Sequence, residues 1–263
     1  MHGAGNDFIM IDNRQRRLRN VNALARKLCQ IHIGVGADGV ILIEKSKKST
    51  FKMRIINADG GEAEMCGNGA RCAVSFAKYL GIFKNGRVSF ETLSGIFFGE
   101  ETKRGFRIFM TDPTSLKTPI NLEIDGSTES LHFLNTGVPH TVRFVRDVNK
   151  IAVVEIGRTI RQHPYFKPAG TNVNFVEVQG RNRIAIRTYE RGVEDETLAC
   201  GTGSVAASCL SYLIHNLKTP LEVKTKSGKS LFIDFEYSVK DRRFHNVTME
   251  GDANVVYNAN LVL

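Results

Sequence analysis

Two cysteines, Cys66 and Cys200, each open a Cys-Gly-x-Gly stretch that runs into an alanine-rich apolar segment long enough for a helix. The first reads Met65-Cys66-Gly67-Asn68-Gly69-Ala70-Arg71-Cys72-Ala73-Val74 and the second Ala199-Cys200-Gly201-Thr202-Gly203-Ser204-Val205-Ala206-Ala207. The two glycines let the backbone turn tightly and approach a ligand closely. A helix start leaves its first N–H groups without intrahelical partners and carries the positive end of the dipole. It therefore binds a carboxylate and favours the thiolate of a cysteine set there. One such place is an anion pocket with a base. Two can close on one ligand from opposite sides. Inverting a Cα–H centre needs that pair: a thiolate base on one face, a thiol acid on the other, and helix starts that receive the developing carbanion charge at the carboxylate. Chemistry of this kind rests on desolvation and fixed dipoles and needs no lysine in a pyridoxal-type setting.

The remaining candidates weigh less when taken singly. Cys29, Cys72 and Cys209 sit on helical apolar faces and read as small buried hydrophobes. Asn6, Asn57, Asn68 and Asn172 each fit an ordinary turn. His140, in Gly137-Val138-Pro139-His140, fits a satisfied loop histidine, and Glu190-Arg191 fits a surface ion pair worth little.

The elements that must position the two cysteines also repeat. Each motif follows a glycine-and-acid loop, Asp59–Glu64 or Arg191–Glu196, and before each loop lies a strand-like segment, Phe51–Ile56 or Arg183–Tyr189. Thr92-Leu93-Ser94-Gly95 lies 26 residues after Cys66, and Thr225-Lys226-Ser227-Gly228 lies 25 after Cys200; both sit between alternating runs and read as hairpin turns. Upstream, Gly5-Asn6-Asp7-Phe8-Ile9 echoes Gly170-Thr171-Asn172-Val173-Asn174-Phe175. Matching order and spacing over several elements predict two pseudo-symmetric α/β halves. Each would be a curved, mostly antiparallel sheet around one central helix. The halves span residues 1–112 and 113–252, joining near Asp112-Pro113. Asn20–Gln30 adds a further helix to the first half. Residues 253–263 alternate and read as a strand that returns to it.

The chain has 263 residues, 42% hydrophobic and 24% charged, which suits a globular protein of about two domains. Its longest apolar runs fall well short of the ~18 residues of a membrane span. Its first residues lack the basic-then-apolar layout of a signal peptide, so a cytoplasmic protein without membrane association is expected. The net charge of +9 raises nucleic acid as a partner, but no aromatic residues interleave with the basic clusters, so no nucleic-acid binding is expected. A positive field of this kind draws in an acidic small molecule. Five cysteines, an odd number with no Cys-x-x-Cys, argue against both a disulfide framework and structural zinc.

The chain resembles the diaminopimelate epimerase family over nearly its whole length. The residues that carry the likeness are His2-Gly3-Ala4-Gly5-Asn6-Asp7-Phe8, Gly34-Val35-Gly36-Ala37-Asp38-Gly39, and Asn57-Ala58-Asp59-Gly60 through Cys66-Gly67-Asn68-Gly69-Ala70-Arg71-Cys72. Gly137-x-Pro139-His140 and Glu190-Arg191-Gly192 through Cys200-Gly201-Thr202-Gly203 complete it. The resemblance implies a homodimeric enzyme that interconverts LL- and meso-2,6-diaminopimelate, on the route to lysine and peptidoglycan, with no pyridoxal phosphate and no metal. It implies that Cys66 and Cys200 are the acid/base pair. The backbone of Gly67, Asn68, Gly201 and Thr202 would receive the reacting carboxylate. Asn6, Asn57, Asn172 and Arg191 would hold the distal end, with Arg191 gripping the distal carboxylate. His140 and Glu190 would tune the thiols, and Gly39 would line the site, by backbone or through water. Val138 stands where many members carry an asparagine that touches substrate.

Two other readings compete. A related two-thiol racemase would act on another amino acid, but proline-type members carry histidine where Asn68 stands. A non-catalytic amino-acid-binding protein on the same scaffold would have no need of two thiols.

Overall fold

The computed structural model describes residues 1–261, which form two compact units. The first is Met1–Phe109 with the segment from Glu250 onward, and the second is Met110–Met249.

The first unit holds β1 (His2–Gly3), β2 (Asn6–Asp12), α1 (Val21–Leu28), β3 (Gly39–Glu44), β4 (Phe51–Asn57), β5 (Glu62–Ala63), α2 (Gly67–Tyr79), β6 (Arg87–Thr92), β7 (Gly95–Thr102) and β8 (Gly105–Phe109). Strands β2 and β3 run parallel, as do β4 and β6. The pairs β1–β2, β3–β4, β4–β5, β6–β7 and β7–β8 are antiparallel.

The second unit holds β9 (Thr114–Ile124), β10 (Ser127–Asn135), β11 (Pro139–Phe144), α3 (Val153–Gln162), β12 (Asn172–Gly180), β13 (Arg183–Glu190), β14 (Asp195–Thr197), α4 (Gly201–His215), β15 (Leu221–Lys224), β16 (Ser230–Ser238) and all but the last two residues of β17 (Arg243–Gly251). Here β11–β12 and β13–β15 are parallel. The pairs β9–β10, β10–β11, β12–β13, β13–β14 and β15–β16 are antiparallel. Apart from β9, the order of pairings repeats that of the first unit. In both, a helix joins the first parallel pair and another precedes the second.

The two helices of a unit cover opposite faces of its sheet. Val21, Ala25 and Leu28 recur at helical spacing along α1 and pack on Val40, Leu42 and Ile56. Helix α2 lies against β1, β2, β3, β4, β7 and β8, and so sits inside the curve of its sheet. Strand β3 is buried at every position because both its faces are covered, which is why it reads as a continuous apolar run instead of an alternating one. In the second unit α3 packs on Ile120, Leu122, Leu131, Val173 and Phe175, while α4 lies against β10, β11, β12, β13, β15 and β16. The apolar, serine- and alanine-rich α4 is buried at ten positions, as a central helix must be. No helix among the described residues is long and apolar enough to cross a membrane.

Two expectations need correction. The first concerns α3, the second-unit counterpart of α1, which the sequence reading did not foresee. Val153, Val154, Ile156, Thr159 and Ile160 are β-branched and Gly157 interrupts the segment, so local preference points away from a helix. Packing decides otherwise: Val153, Gly157 and Ile160 fall on one face and are buried. A Cβ at Gly157 would lie 2.5 Å from that of Tyr189, so only glycine lets the helix come this close to β13. The second concerns the predicted strand at 253–263. Asn254 makes a single bridge to His2, its N–H to the His2 carbonyl at 2.9 Å, and no strand follows as far as residue 261. Alternation makes a strand only where a ladder partner exists. Residues 262 and 263 lie outside the described residues.

Candidate functional site

Cys66 caps α2, with an extended backbone and a sulfur that accepts the Gly69 N–H at 3.5 Å. The Ala70 N–H reaches the Cys66 carbonyl at 2.8 Å. Around this helix start the parallel and antiparallel registers set Phe8, Gly39 and Asn57 in one row. Asn6, two residues before Phe8, accepts from the Cys66 thiol at 3.6 Å through Oδ1 and donates through Nδ2 to Asp38. Asp38 also accepts the Asp7 N–H at 3.1 Å. Burial and the Asp38 charge hold the Asp7 carboxyl above its ordinary range. Gly39 has no room for a side chain, because a Cβ there would lie 2.8 Å from the Ile56 carbonyl oxygen. The exposed Asn57 holds the loop before Cys66 through its backbone: its N–H donates to Gly61 and its carbonyl accepts from Gly60, each at 2.8 Å.

Beneath the Cys66 helix start lies Arg71, fully buried. Its guanidinium donates to Asn68 Oδ1 at 2.9 Å, to the Asp252 carbonyl at 3.2 Å and to the Gly67 carbonyl at 3.4 Å. Asp252 in turn accepts the Ala4 N–H at 2.9 Å. Burial pulls the Arg71 pKa down, and the neighbouring Cys72, Cys66 and Asp252 act against that. Neither Arg71 nor Asp38 was singled out from the sequence, although both lie inside the quoted motifs. Asn68 is buried, and its side chain is anchored to Arg71.

Cys200 caps α4 in the second unit, and the Ser204 N–H and hydroxyl both donate to its carbonyl at 2.9 Å. Its sulfur lies 3.6 Å from the Thr202 hydroxyl. That hydroxyl is 3.0 Å from His140 Nε2, and His140 Nδ1 is 3.2 Å from the Asn174 amide nitrogen. A Cβ at Gly203 would lie 2.4 Å from Asn174 Oδ1 and 3.2 Å from the Cys200 sulfur, so the second glycine of the motif makes room for this cluster. Asn172 pairs in register with His140; its amide donates to the Pro139 carbonyl at 3.0 Å and accepts the Arg191 N–H at 2.8 Å. The Arg191 guanidinium donates to the Ala169 carbonyl at 2.8 Å. Glu190 ends β13 opposite Asp195 and is half-buried, and its carbonyl accepts the Glu194 N–H at 2.8 Å. Val138 accepts the Thr136 N–H, and the Thr136 hydroxyl reaches the Thr202 carbonyl at 3.1 Å.

Each cysteine thus has its own polar neighbourhood inside its own unit. Asn6 bonds the Cys66 thiol, with Gly67 and Asn68 following that cysteine in the chain; Thr202 lies on the Cys200 sulfur with His140 behind it, and Asn172 stands beside His140 in register and holds the Arg191 backbone. Burial pushes Cys29 up to about 11, Cys72 up to about 12 and Cys209 well above the ordinary thiol range. Among the described residues, no group of three or more His, Cys, Asp or Glu side chains could hold a metal ion.

Burial, with Arg191 adding to it, lowers the His140 pKa to about 3, so the imidazole is neutral across the working range. The unfolded chain takes up a proton below the ordinary value of 6.5 that the folded protein refuses until about pH 3. Stability from this group therefore falls as pH drops through that window. His140→Gln is expected to flatten the acid side of the unfolding free energy against pH, reducing the slope by about one proton between those limits. Denaturant titrations of both proteins over that range measure it, and equal slopes would contradict a neutral His140.

The model of the diaminopimelate epimerase family matches residues 1–117 and 132–256. The diaminopimelate epimerase of Aquifex aeolicus (strain VF5) is 46% identical over 254 residues, covering 92% of this chain and 90% of that protein. That of Chlorobaculum tepidum is 40% identical over 266 residues, covering all of both. Solved structures share the fold at low identity. A Bacillus anthracis phenazine biosynthesis protein of the PhzF family superposes with TM-score 0.72 at 14% identity, covering 96% of this chain and 92% of its own. A probable proline racemase from Agrobacterium radiobacter K84 reaches TM-score 0.65 at 16% identity, covering 87% and 77%.

Proposed function

The chain belongs to the diaminopimelate epimerase family, and on that premise we propose that it interconverts LL- and meso-2,6-diaminopimelate by passing one proton between Cys66 and Cys200. The observation that carries the mechanism is the duplication: each unit presents a cysteine as the cap of a glycine-flanked helix start. One cysteine acts as thiolate and removes the Cα proton, while the other acts as thiol and delivers a proton to the opposite face. The first backbone N–H groups of the two helices, from Gly67, Asn68, Gly201 and Thr202, hold the reacting carboxylate and take up the charge that develops as the Cα–H bond breaks. A doubly charged intermediate on the carboxylate is unstable in water, and donors fixed in advance where that charge develops lower the barrier to it.

Arg191 is assigned to the distal carboxylate, with Asn6, Asn57 and Asn172 ordering that end; Asn172 does so in part by fixing the Arg191 backbone. Gly39 lines the pocket with backbone alone. Glu190, at the end of β13 beside Arg191, tunes the thiols from the second unit. His140, being neutral, acts as a hydrogen-bonding group and not as a proton carrier. A proline-type substrate fits less well, because Asn68 stands in the histidine position and its side chain is anchored to Arg71.

Arg191→Ala is expected to raise KM for diaminopimelate about 10- to 100-fold, the loss of one charge-assisted contact or somewhat more, with little change for a monocarboxylate amino acid. Equal effects on both substrates would remove Arg191 from distal recognition. The reading further places the enzyme in the cytoplasm, in lysine and peptidoglycan precursor supply, as a homodimer. Light scattering should return twice the chain mass, and a single-chain mass at working concentration would contradict the dimer. The activity itself is tested by incubating the purified protein, without added pyridoxal phosphate or metal, with LL-diaminopimelate and a panel of other L-amino acids. Conversion of the diaminopimelate to a mixture of LL and meso forms, with the others unchanged, is expected. Inversion of proline or histidine instead would overturn the assignment.

A further inference from the structure

Asn174 is fully buried beneath the start of α4 and takes no part in the chemistry described above. Its amide orientation is set by a partner that has only one hydrogen-bonding role to offer. The Thr141 carbonyl can only accept, and it receives the Asn174 amide N–H at 2.9 Å. The Thr188 hydroxyl donates to Oδ1 at 3.0 Å. The amide nitrogen therefore also faces His140 Nδ1 at 3.2 Å, as a donor. A neutral imidazole that accepts at Nδ1 carries its hydrogen on Nε2. That hydrogen points at the Thr202 oxygen 3.0 Å away. The Thr202 hydroxyl, accepting from His140, has its own hydrogen left, and the Cys200 sulfur 3.6 Å away can accept it.

From this chain of bonds we infer that Asn174 is a positioning residue that selects the Nε2–H form of His140 and so aims the Thr202 hydroxyl at the Cys200 sulfur. The arrangement deepens the two-thiol reading: a hydroxyl that donates to sulfur stabilises the thiolate over the thiol. Opposite polarity would follow from the other tautomer. With Nε2 bare, the Thr202 hydroxyl would turn toward the imidazole and leave the sulfur without that donor. The charged groups at this end of the second sheet include Glu190, Arg191, Glu194 and Asp195; of these Arg191 acts with burial to keep His140 neutral, so the relay holds its polarity across the working pH. Turning the amide over would set Oδ1 against the Thr141 carbonyl, two acceptors facing each other, so that contact holds the orientation.

Two measurements test it, and neither needs substrate, so they stand apart from the question of which amino acid is epimerised. The first is nitrogen-15 NMR of histidine-labelled protein. The His140 signals should be those of a neutral Nε2–H imidazole; an Nδ1–H imidazole overturns the inference. The second follows the ultraviolet absorbance of the thiolate against pH in a Cys66→Ala background, where Cys200 is the reactive thiol. Thr202→Val, which removes the hydroxyl and keeps the shape, should lower the thiolate-to-thiol ratio of Cys200 about tenfold, the effect of one hydrogen bond to a charged acceptor. Thr202→Ser should restore it, and Asn174→Leu should move it the same way as Thr202→Val. A Cys200 titration unchanged by Thr202→Val overturns the inference, whatever Asn174→Leu does to folding.

Discussion

Cys66→Ala and Cys200→Ala are each expected to lower kcat for diaminopimelate by about 10²- to 10⁴-fold, the range that a positioned acid or base contributes. Both proteins should stay folded. Cys66 accepts one capping bond, from Gly69 at 3.5 Å, and a lost cap costs about 1 kcal/mol. Cys200 makes no capping bond to its own helix, so its replacement costs less on that count. A loss of activity that large beside a change in stability that small separates chemistry from folding. The two effects should not multiply: the double variant should be no slower than the worse single one, because the thiols act as one unit. Circular dichroism of the protein with turnover of LL-diaminopimelate measures both, and full turnover by either single variant would end the two-thiol account.

Arg71→Ala is expected to show the opposite pattern, with stability lost first. The side chain is fully buried and satisfies Asn68 Oδ1 and the carbonyls of Gly67 and Asp252. Removing it strands buried acceptors and leaves a void the size of a long side chain, together about 3–5 kcal/mol. Lysine should recover only part of this, since one ammonium cannot reproduce a planar fork that reaches three partners. The helix start that carries Cys66 should loosen with it, because Gly67 and Asn68 are two of the groups that Arg71 holds. A denaturant midpoint within error of the parent protein would show that Arg71 does not support this corner.

Much of this was legible in the sequence, for physical reasons that differ between elements. The cysteine-capped helices announce themselves because a tight turn before a buried helix demands glycine and small residues, and two copies at matched spacing are hard to produce otherwise. The hairpins at Thr92–Gly95 and Thr225–Gly228 are local and could be read locally. Helix α3 was hidden because its residues prefer extended backbone and only packing on Tyr189 and its neighbours overrides them. The alternating tail beyond Asn254 misled for the converse reason, a strand pattern with no ladder to join. The site residues around each cysteine were visible through motif and resemblance, but their wiring was not. That Asn174 reaches His140 depends on a parallel register between β11 and β12, and that Arg71 is buried depends on how α2 sits in its sheet. Both are long-range outcomes that spacing along the chain does not encode.

Transfer between two thiols on opposite faces has a direct isotopic signature. LL-diaminopimelate turned over in deuterium oxide should give meso product with one deuterium at the inverted α-carbon and none at the other, while substrate recovered at early times keeps its protium. The proton removed stays on the cysteine that took it, and the one delivered comes from a thiol already equilibrated with solvent. Meso product that retains the original α-proton would mean that a single base carries it from face to face, and the paired role of Cys66 and Cys200 would be wrong.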